Sequence, residues 1–298
     1  MSTRFLVAAV LLLAGCTTEP ARAGTQRATP ATLTAVLKAA KDGDTVVLAR
    51  GSYGDVSVPR ADHASPVTID AARARLRTLT LRGTAGWRWT GGTIAAPPEA
   101  FRAVMIDNAR RVELTDVRIA DGLSGAQVIS SQDVTLRGNT ITGMIADGIN
   151  VVASQRVKIL GNTIAEFRPL EVVRDAGGRI VKDAPHSDAI QLWSLAGKEP
   201  ARDIAIIGNR ISGKAQGITH FWHAAQGRPK VERVTVERNE VAVESWWGIG
   251  MLDTPGAIVR HNTVRTLANG KGLRARLLAE KNVIRCGNTV GDVSERAC

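Results

Sequence analysis

Hydrophobic and polar residues alternate in short runs along most of the chain, and the same run returns at intervals. Residues 134–141 read VTLRGNTI, and residues 157–164 read VKILGNTI. Alternation with a period of two predicts strands that turn every second side chain toward a core. Further copies begin at Ile204, Val234 and Ala257, with a shortened copy at Val112 and a later one before Ile284.

The spacing of the copies predicts the fold. The dominant step between equivalent Asn or Asp positions is 23 residues, and two longer steps of 47 and 30 residues carry insertions. Such a period is the signature of a solenoid, whose coils bury their apolar faces by stacking. No Leu-rich consensus, helix per coil or propeller-like period is present, so we predict an all-β protein, a right-handed parallel β-helix. The recurrent Asn is expected to form a ladder through αL turns, and its positions are Asp116, Asn139, Asn162, Asn209, Asn239, Asn262 and Asn282.

A second strand follows each Asn at a fixed offset, as in GINVV at 148–152 and AIQLW at 189–193. Alternation turns Ile149, Ile190, Ile218 and Ile249 inward and Asn150, Gln191, Thr219 and Gly250 outward. Equivalent residues of stacked coils lie about 4.8 Å apart. We therefore expect an outward groove with a floor of small residues and an apolar wall. The floor would be Gly148, Ala189, Gly217 and Gly248, and the wall Val152, Trp193, Phe221 and Leu252.

The N-terminal part carries a different pattern. Residues 31–41 have apolar side chains at helical spacing, which predicts a helix that covers the edge of the first coil. The segment GDTVVLARGSY follows at 43–53. Together these segments resemble the first coil of bacterial β-helix polysaccharide lyases of the chondroitinase B and alginate lyase family. The resemblance covers about residues 33–83 and implies the β-helix fold and an acidic polysaccharide as partner. The catalytic Lys/Arg motif of that family has no match here.

The first residues have the form of an export signal. Arg4 precedes an apolar run at 5–14, shorter than the ~20 residues that span a bilayer. The run ends in LAGC, which resembles the bacterial lipobox and implies a lipid on Cys16. An ordinary signal peptide with a chance cysteine is the alternative. We predict a lipoprotein signal peptide at 1–15, a linker at 16–30 and a β-helix domain at 31–298. Thr17 follows Cys16, as in lipoproteins sorted to the outer membrane. We therefore expect an exported lipoprotein that its lipid alone holds at that membrane.

Charge and cysteine content narrow the partners. The formal net charge of +11 favours a polyanion, and an exported chain with one Tyr and four Phe is not expected to bind nucleic acid. A basic composition from a GC-rich genome is the alternative. Cys286 and Cys298 remain for a disulfide or for two free thiols, and neither has a neighbour at metal-ligand spacing. We expect a monomer.

Histidines and tryptophans gather on three consecutive coils. An insertion that begins at Glu166 leads into His186, and the motif DAPHSD at 183–188 resembles the Asp-Pro-His-Asp motif of β-helix alginate C5-epimerases, with two extra residues. That resemblance implies that His186 is a base, with Asp188 as the final Asp of the motif. His220 alternates inward and is expected to be a buried structural residue. The candidate catalytic residues are His186, Asp188, Arg168 and Lys214, and the candidate substrate-binding residues are Asp147, Asn150, Gln191, Trp193, Thr219, Trp222, His223 and Trp247.

Three functions stay open on the sequence. A lyase or C5-epimerase would remove the C5 proton of a uronate with His186, while Arg168 or Lys214 neutralises the carboxylate. A glycoside hydrolase would use Asp147 and Asp188, which stacking places at about the separation of a retaining pair. A glycan-binding envelope lipoprotein would use the same groups without turnover. No cofactor is predicted except Ca²⁺, which Asp147 and Asp188 could bind instead of sharing a proton.

Overall fold

The computed structural model describes residues 23–182, 186–221, 227–268, 272–280 and 283–298. Within these ranges most strands form three long parallel sheets, and in the repeating coils between the two ends each coil adds one strand to each sheet. A crossover between parallel strands is right-handed in nearly all proteins. The fold is the right-handed parallel β-helix that the repeat predicts.

The strands are numbered in chain order. Sheet A contains β1 (Thr25–Ala28), β2 (Thr45–Leu48), β5 (Asp62–Asp70), β8 (Ala85–Thr90), β11 (Arg110–Thr115), β14 (Gln132–Arg137), β17 (Gln155–Leu160), β22 (Arg202–Ile207), β25 (Glu232–Glu237), β28 (Ala257–Arg260) and β31 (Val283–Cys286). Sheet B contains β3 (Gly51–Ser52), β6 (Ala74–Leu76), β9 (Thr93–Ala95), β12 (Arg118–Ala120), β15 (Thr140–Thr142), β18 (Thr163–Ala165), β23 (Arg210–Gly213), β26 (Glu240–Val243), β29 (Thr263–Thr266), β32 (Thr289–Val290) and β33 (Val293–Ser294). Sheet C contains β4 (Asp55–Val58), β7 (Thr78–Arg82), β10 (Val104–Asp107), β13 (Ala126–Ile129), β16 (Ile149–Val152), β21 (Asp188–Trp193), β24 (Gln216–His220), β27 (Trp247–Met251) and β30 (Arg276–Ala279). A hairpin of β19 (Val173–Arg174) and β20 (Ile180–Lys182) lies in the insertion.

Inward side chains of the three sheets form the core with the predicted period of two. In sheet C, Ile149 pairs with Ile190 and Ile190 with Ile218, and all three are completely buried. His220 also points inward and is 2% exposed, with Nδ1 3.0 Å from the carbonyl oxygen of Leu192. It is the buried histidine that alternation predicts.

The asparagine ladder is present and runs along one corner of the solenoid. Asn139 donates its side-chain amide to Oδ1 of Asn162 at 3.0 Å, and Asn162 donates in the same way to Asn209 at 3.0 Å. The backbone N–H of each of these residues donates to the same oxygen. Because these buried amides are hydrogen-bonded to each other and to backbone, the ladder fixes the register of the coils. It continues through Asn239, Asn262 and Asn288.

One predicted member of the ladder, Asp116, is wrong. The register of β11 and β14 places Val117, not Asp116, beside Asn139, and the N–H of Val117 donates to Asn139 Oδ1. At the other end the ladder closes at Asn288, because β31 pairs with β28, whereas Asn282 lies outside the described residues. The αL residue of each turn is also not the Asn itself. It is the residue before it, such as Gly138 with φ 63°.

The N-terminal end confirms the capping helix and corrects the linker. Helix α1 (Leu33–Ala39) buries Leu33 and Leu37. Residues 25–28, predicted as linker, form β1 and pair in parallel with β2. The β-helix therefore begins within the segment 16–30, because β1 supplies the first strand of sheet A. The N–H groups of Gly24 and Lys41 both donate to the carboxylate of Asp44, which holds this strand against the helix end.

At the C-terminal end, Cys286 and Cys298 form a disulfide, which selects one of the two alternatives left open by the sequence. It joins the end of β31 to the last residue, and β33 turns back antiparallel to β32. Within the described residues, no helix has the length and apolar character needed to cross a membrane.

Candidate functional site

A column of residues runs along the outward edge of sheet C. Val104, Ala126, Ile149 and Ile190 pair in register across successive coils, and Asp188 pairs with Gln216. The residues two positions before Val104, Ala126, Ile149 and Ile190 therefore stack about 4.8 Å apart. The stack continues to Gln216, which pairs with Asp188, and to Trp247, two positions before Ile249. We call these residues the site column: Arg102, Ser124, Asp147, Asp188, Gln216 and Trp247.

The centre of the column is a contact between His186 and Asp188. Nε2 of His186 lies 3.1 Å from Oδ2 of Asp188, and the imidazole is 63% exposed whereas the carboxylate is completely buried. His186 lies two residues before Asp188, the first residue of β21. The hydrogen bond with Asp188 raises the pKa of His186, and the carboxylates of Asp188 and Asp147 add to this effect, while desolvation opposes it.

Three side chains hold the carboxylate of Asp188. Thr219 donates its hydroxyl to Oδ1 at 2.6 Å, and Gln191 donates its amide to Oδ2 at 3.0 Å. His186 must carry its proton on Nε2 to share Oδ2 at 3.1 Å, since two acceptors would repel at that distance. Gln191 Nε2 lies 3.3 Å from His186 Nε2 because both nitrogens donate to the same oxygen, Oδ2 of Asp188. The arrangement leaves Nδ1 of the neutral imidazole as the free base.

Asp147 lies directly beside this pair, as stacking predicts. The N–H of Asp188 donates to Asp147 Oδ1 at 3.0 Å, and Asn150 donates to Asp147 Oδ2 at 2.9 Å. Burial raises the pKa of Asp147, and the neighbouring charge of Asp188 raises it further, against the hydrogen bonds from Asn150 and Asp188. Asp147 is therefore a carboxyl group with an increased affinity for a proton.

The two carboxylates do not fit Ca²⁺. Calcium takes six to eight oxygen ligands, yet the oxygens of Asp188 and Asp147 accept hydrogen bonds from two side-chain amides, a hydroxyl, an imidazole and a backbone N–H. In the described part of the chain, no group of three or more His, Cys, Asp or Glu side chains is arranged to hold a metal ion. We therefore assign no step to a metal at this position.

The two predicted cations are engaged elsewhere. The guanidinium of Arg168 pairs with Asp121 and donates to the carbonyl of Gly143, so it braces the turn between sheets B and C. Nζ of Lys214 lies 3.3 Å from Glu171 of the insertion. None of the hydrogen bonds found among the described residues joins either cation to His186 or Asp188.

Aromatic residues occupy the C-terminal side of the site. Val152 pairs with Trp193 in the predicted wall, and Phe221 packs edge-on against Trp247 with ring centroids 4.6 Å apart. Arg228 lies over the Trp193 ring at 4.9 Å. Trp222 and His223, which were also predicted to bind substrate, lie outside the described residues.

The predicted floor of small residues is wrong. A Cβ on Gly148 would lie 2.7 Å from Cγ2 of Ile164, an inward residue of sheet B, and 2.6 Å from the carbonyl oxygen of Ala189. Gly217 and Gly248 likewise face Val241 and Val264. The column of small residues therefore lies inside the corner between sheets B and C. It is small because the sheets approach closely there, and it does not line the groove.

Several buried polar atoms of the groove have no hydrogen-bond partner within the part of the chain that the structure describes. Among the described residues, buried side-chain atoms without a hydrogen bond include Arg102 Nε, Asn150 Oδ1, Gln216 Oε1 and Trp193 Nε1. All four residues belong to the site column or to the outward face of sheet C. Since buried polar groups are nearly always hydrogen-bonded, these four atoms favour a site for a polar ligand on this face, although other unpartnered atoms, such as Trp87 Nε1 and Arg260 Nε, lie in sheet A.

Sequence reasoning missed Arg102, Ser124 and Gln216. Arg102 ends the loop that follows β9, and its guanidinium lies over the ring of Phe101 at 3.9 Å. Burial lowers the pKa of Arg102, and the charge of Asp147 offsets part of that effect. The register of the coils was the available signal. The position equivalent to Asp147 is Ser124 on the preceding coil and Arg102 on the coil before that.

Comparison with known proteins agrees with this architecture. Residues 100–270 match the family described as right handed beta helix region. An alginate lyase from Paenibacillus sp. str. FPU-7 superposes with a TM-score of 0.55 at 17% identity, covering 88% of this chain and 99% of that one. PfbA, a surface adhesin of Streptococcus pneumoniae, gives a TM-score of 0.49 at 12% identity, covering 87% of this chain and 79% of that one. The Azotobacter vinelandii mannuronan C-5 epimerase AlgE6 A-module gives 0.43 at 15% identity, covering 90% of both chains. No curated protein sequence matches the chain.

Proposed function

Since this chain belongs to the right-handed β-helix family, we propose that it acts on uronate-containing polysaccharides by removing the proton at C5, as a lyase or a C5-epimerase. The observation that carries the proposal is the contact between the exposed imidazole of His186 and the buried carboxylate of Asp188. The basic net charge and the unpartnered polar atoms of sheet C favour an acidic, polar ligand. The alginate lyase of similar fold supports a uronate polymer as substrate.

His186 is the base in this proposal. Asp188 holds the Nε2–H tautomer, so the lone pair on Nδ1 accepts the proton when the C5–H bond breaks. In a lyase the released electron pair forms the C4=C5 double bond, the C4–O4 bond breaks, and O4 takes a proton. In an epimerase a proton returns to the opposite face of C5.

Asp147 is the acid. Its pKa is raised by burial and by the charge of Asp188, so it carries a proton at a higher pH than an ordinary carboxyl group. It stacks on the same column as Asp188, which places it one coil from His186. The surroundings raise the pKa of both Asp147 and His186. Pairs of titratable groups with such altered pKa values are typical of acid and base partners.

A glycoside hydrolase that uses Asp147 and Asp188 is not favoured by this geometry. The carboxylate of Asp188 is completely buried, and its two oxygens already accept hydrogen bonds from Thr219, Gln191 and His186. A nucleophilic carboxylate would have to reach the anomeric carbon with an open lone pair. Asp188 instead orients the imidazole.

The test is an assay of the purified protein on alginate, pectate and glycosaminoglycans. Elimination appears as ultraviolet absorbance of the new unsaturated uronate, and epimerisation as a change in C5 configuration by NMR. Epimerisation in D₂O also places deuterium at C5, whereas the elimination product carries no hydrogen at C5. His186→Ala is expected to abolish all three signals. The matched control is His261→Asn, because His261 is exposed and has φ 55°, a conformation that Asn accepts.

The outcomes separate the candidate functions. Full activity in His186→Ala would remove His186 as the base. New reducing ends without ultraviolet absorbance or C5 exchange would indicate hydrolysis. Binding of a polymer with none of these reactions would indicate a glycan-binding protein.

We also propose that the chain is exported and carries a lipid on Cys16, which lies outside the described residues. The support is the sequence pattern of an apolar run that ends in LAGC. Growth of the expressing cells with a labelled fatty acid is expected to label the wild-type protein and not Cys16→Ser. Equal labelling of the two would contradict the lipid anchor.

A further inference from the structure

Arg102 differs from three other half-buried arginines of the described chain. Arg88, Arg202 and Arg260 each form an ion pair with a carboxylate, to Glu113, Glu199 and Glu237 respectively. Arg102 forms no ion pair with any described residue, and its buried Nε has no hydrogen-bond partner there. A half-buried guanidinium without a paired carboxylate is a candidate for pairing with a carboxylate of a ligand.

The position of Arg102 links it to the site. It lies in the site column two coils before Asp147 and three before Asp188, with Ser124 between it and Asp147, so it is about 10 Å and about 14 Å from those residues along the axis. The Phe101 ring lies against its guanidinium at 3.9 Å and fixes the plane of the group. The donor edges of that plane are the part that recognises carboxylates.

We propose that Arg102 binds the carboxylate of a uronate unit two or three residues away from the reacting sugar, so that the polysaccharide lies along the solenoid axis over sheet C. This inference rests on the proposed uronate substrate but not on its turnover. One sugar unit of a chain advances by about the height of one coil. A polymer aligned with the axis therefore brings a second carboxylate to Arg102 while another unit lies at His186.

Arg102 is a specificity and positioning residue in this arrangement, since it lies too far from His186 to take part in proton transfer. It supplies the distant cation that Arg168 and Lys214 do not, because those two are paired with Asp121 and Glu171. The aromatic residues Trp193 and Phe221 lie at the opposite end of the same face. Arg102 thus lies toward one end of the groove, and Trp193, with Arg228 over its ring, lies toward the other.

The experiment measures binding of uronate oligomers of two and six units by calorimetry, with the His186→Ala chain as background to prevent turnover. Arg102→Gln is expected to weaken binding of the hexamer ~10- to 100-fold, the effect of losing one charged hydrogen-bonded contact. Binding of the dimer, and of a hexamer whose carboxylates are reduced to alcohols, should not change. Arg137→Gln is the matched control, because Arg137 is an exposed residue of sheet A.

Arg102→Lys keeps the charge and loses the planar fork, so its affinity for the hexamer is expected to lie between that of the background chain and that of Arg102→Gln. It remains informative if the Gln variant does not fold. In the background chain itself, the native hexamer must bind more tightly than the reduced one. Unchanged hexamer binding in both Arg102 variants would overturn the assignment, as would equal affinity for native and reduced hexamers. Arg102-dependent binding without turnover in the wild type would uphold it while contradicting the proposed reaction. Failure to bind any uronate oligomer would contradict both.

Discussion

The hydroxyl of Thr219 donates a 2.6 Å hydrogen bond to Oδ1 of Asp188, and neither side chain has exposed surface. The two residues belong to adjacent strands, β21 and β24, of sheet C. The contact occupies one oxygen of the carboxylate and leaves the other for His186 and Gln191. Thr219 therefore acts on His186 through Asp188, and it was predicted from the sequence only as a substrate-binding residue.

Thr219→Val should lower kcat with little effect on KM, because it disturbs the orientation of the base and not the contact with substrate. The buried carboxylate loses a donor, which costs about 1–3 kcal/mol of folding stability. Thr219→Ser retains the hydroxyl and is expected to recover most of kcat. Steady-state kinetics and chemical denaturation of the two variants provide the measurement. A rise in KM at constant kcat would instead favour direct contact between Thr219 and the polymer.

The pH profile should reveal the coupling of His186 to Asp188. The carboxylate raises the pKa of His186 above its ordinary value of 6.5, and only the neutral imidazole is a base. The acid limb of kcat/KM in the wild type is therefore expected above that value. Asp188→Asn should move the limb to lower pH and reduce kcat, since an amide neither attracts the proton nor fixes the tautomer as a carboxylate does. An acid limb that stays in place would show that another group is the base.

The same shift has a consequence for stability. A histidine whose folded pKa is raised contributes stability that is present below its unfolded pKa and is lost as the pH rises through the folded pKa. The difference in thermal midpoint between wild type and His186→Gln should accordingly be largest in acid and shrink in alkali. The effect is small, because the imidazole is 63% exposed.

The centre of the site was predictable from the sequence because stacking is regular there. Equivalent positions on adjacent coils lie one strand spacing apart, so Asp147 and Asp188 could be placed together without a structure. The direction of the small residues was not predictable. At the corner of the coil Ala189 and Ile190 both face inward, which breaks the period of two, and this break leaves no mark in composition.

The long insertion is the other part that sequence could not place. It has no repeat copy from which a register could be derived, so the pairing of Lys214 with Glu171 is determined by the path of the loop. The same holds for Arg168 and Asp121. Arg102 was missed because it lies in a loop before its strand, although it occupies a position of the site column.

Gly217→Ala distinguishes the interior position of the small residues from the predicted floor. An added Cβ would contact the carbonyl oxygen of Gly248 and lie 2.7 Å from Val241 Cγ1. The variant should lose about 1–3 kcal/mol of stability, as overpacked cores do. Its KM should stay unchanged where it remains folded. Gly177→Ala is the control, because its Cβ would meet only Asp175 Oδ1 at 3.4 Å. A stable variant with a raised KM would support the floor instead.

Asp147→Asn should raise stability and lower activity together. In the wild type, burial and the charge of Asp188 raise the pKa of Asp147, so its ionised form destabilises the folded state. The amide of the Asp147→Asn variant has no charge, and its oxygen can still accept the N–H of Asp188. Its NH₂ group can donate to Asn150 Oδ1 if the Asn150 amide turns over. That oxygen has no partner among the described residues. The gain in thermal midpoint should be absent at low pH, where Asp147 is protonated in both states, and should grow as the pH rises from the unfolded to the folded pKa. Loss of kcat alongside this gain is the expected exchange of stability for activity at a catalytic acid. Reduced stability at neutral pH would show that the ionised carboxylate is a structural group and not a proton donor.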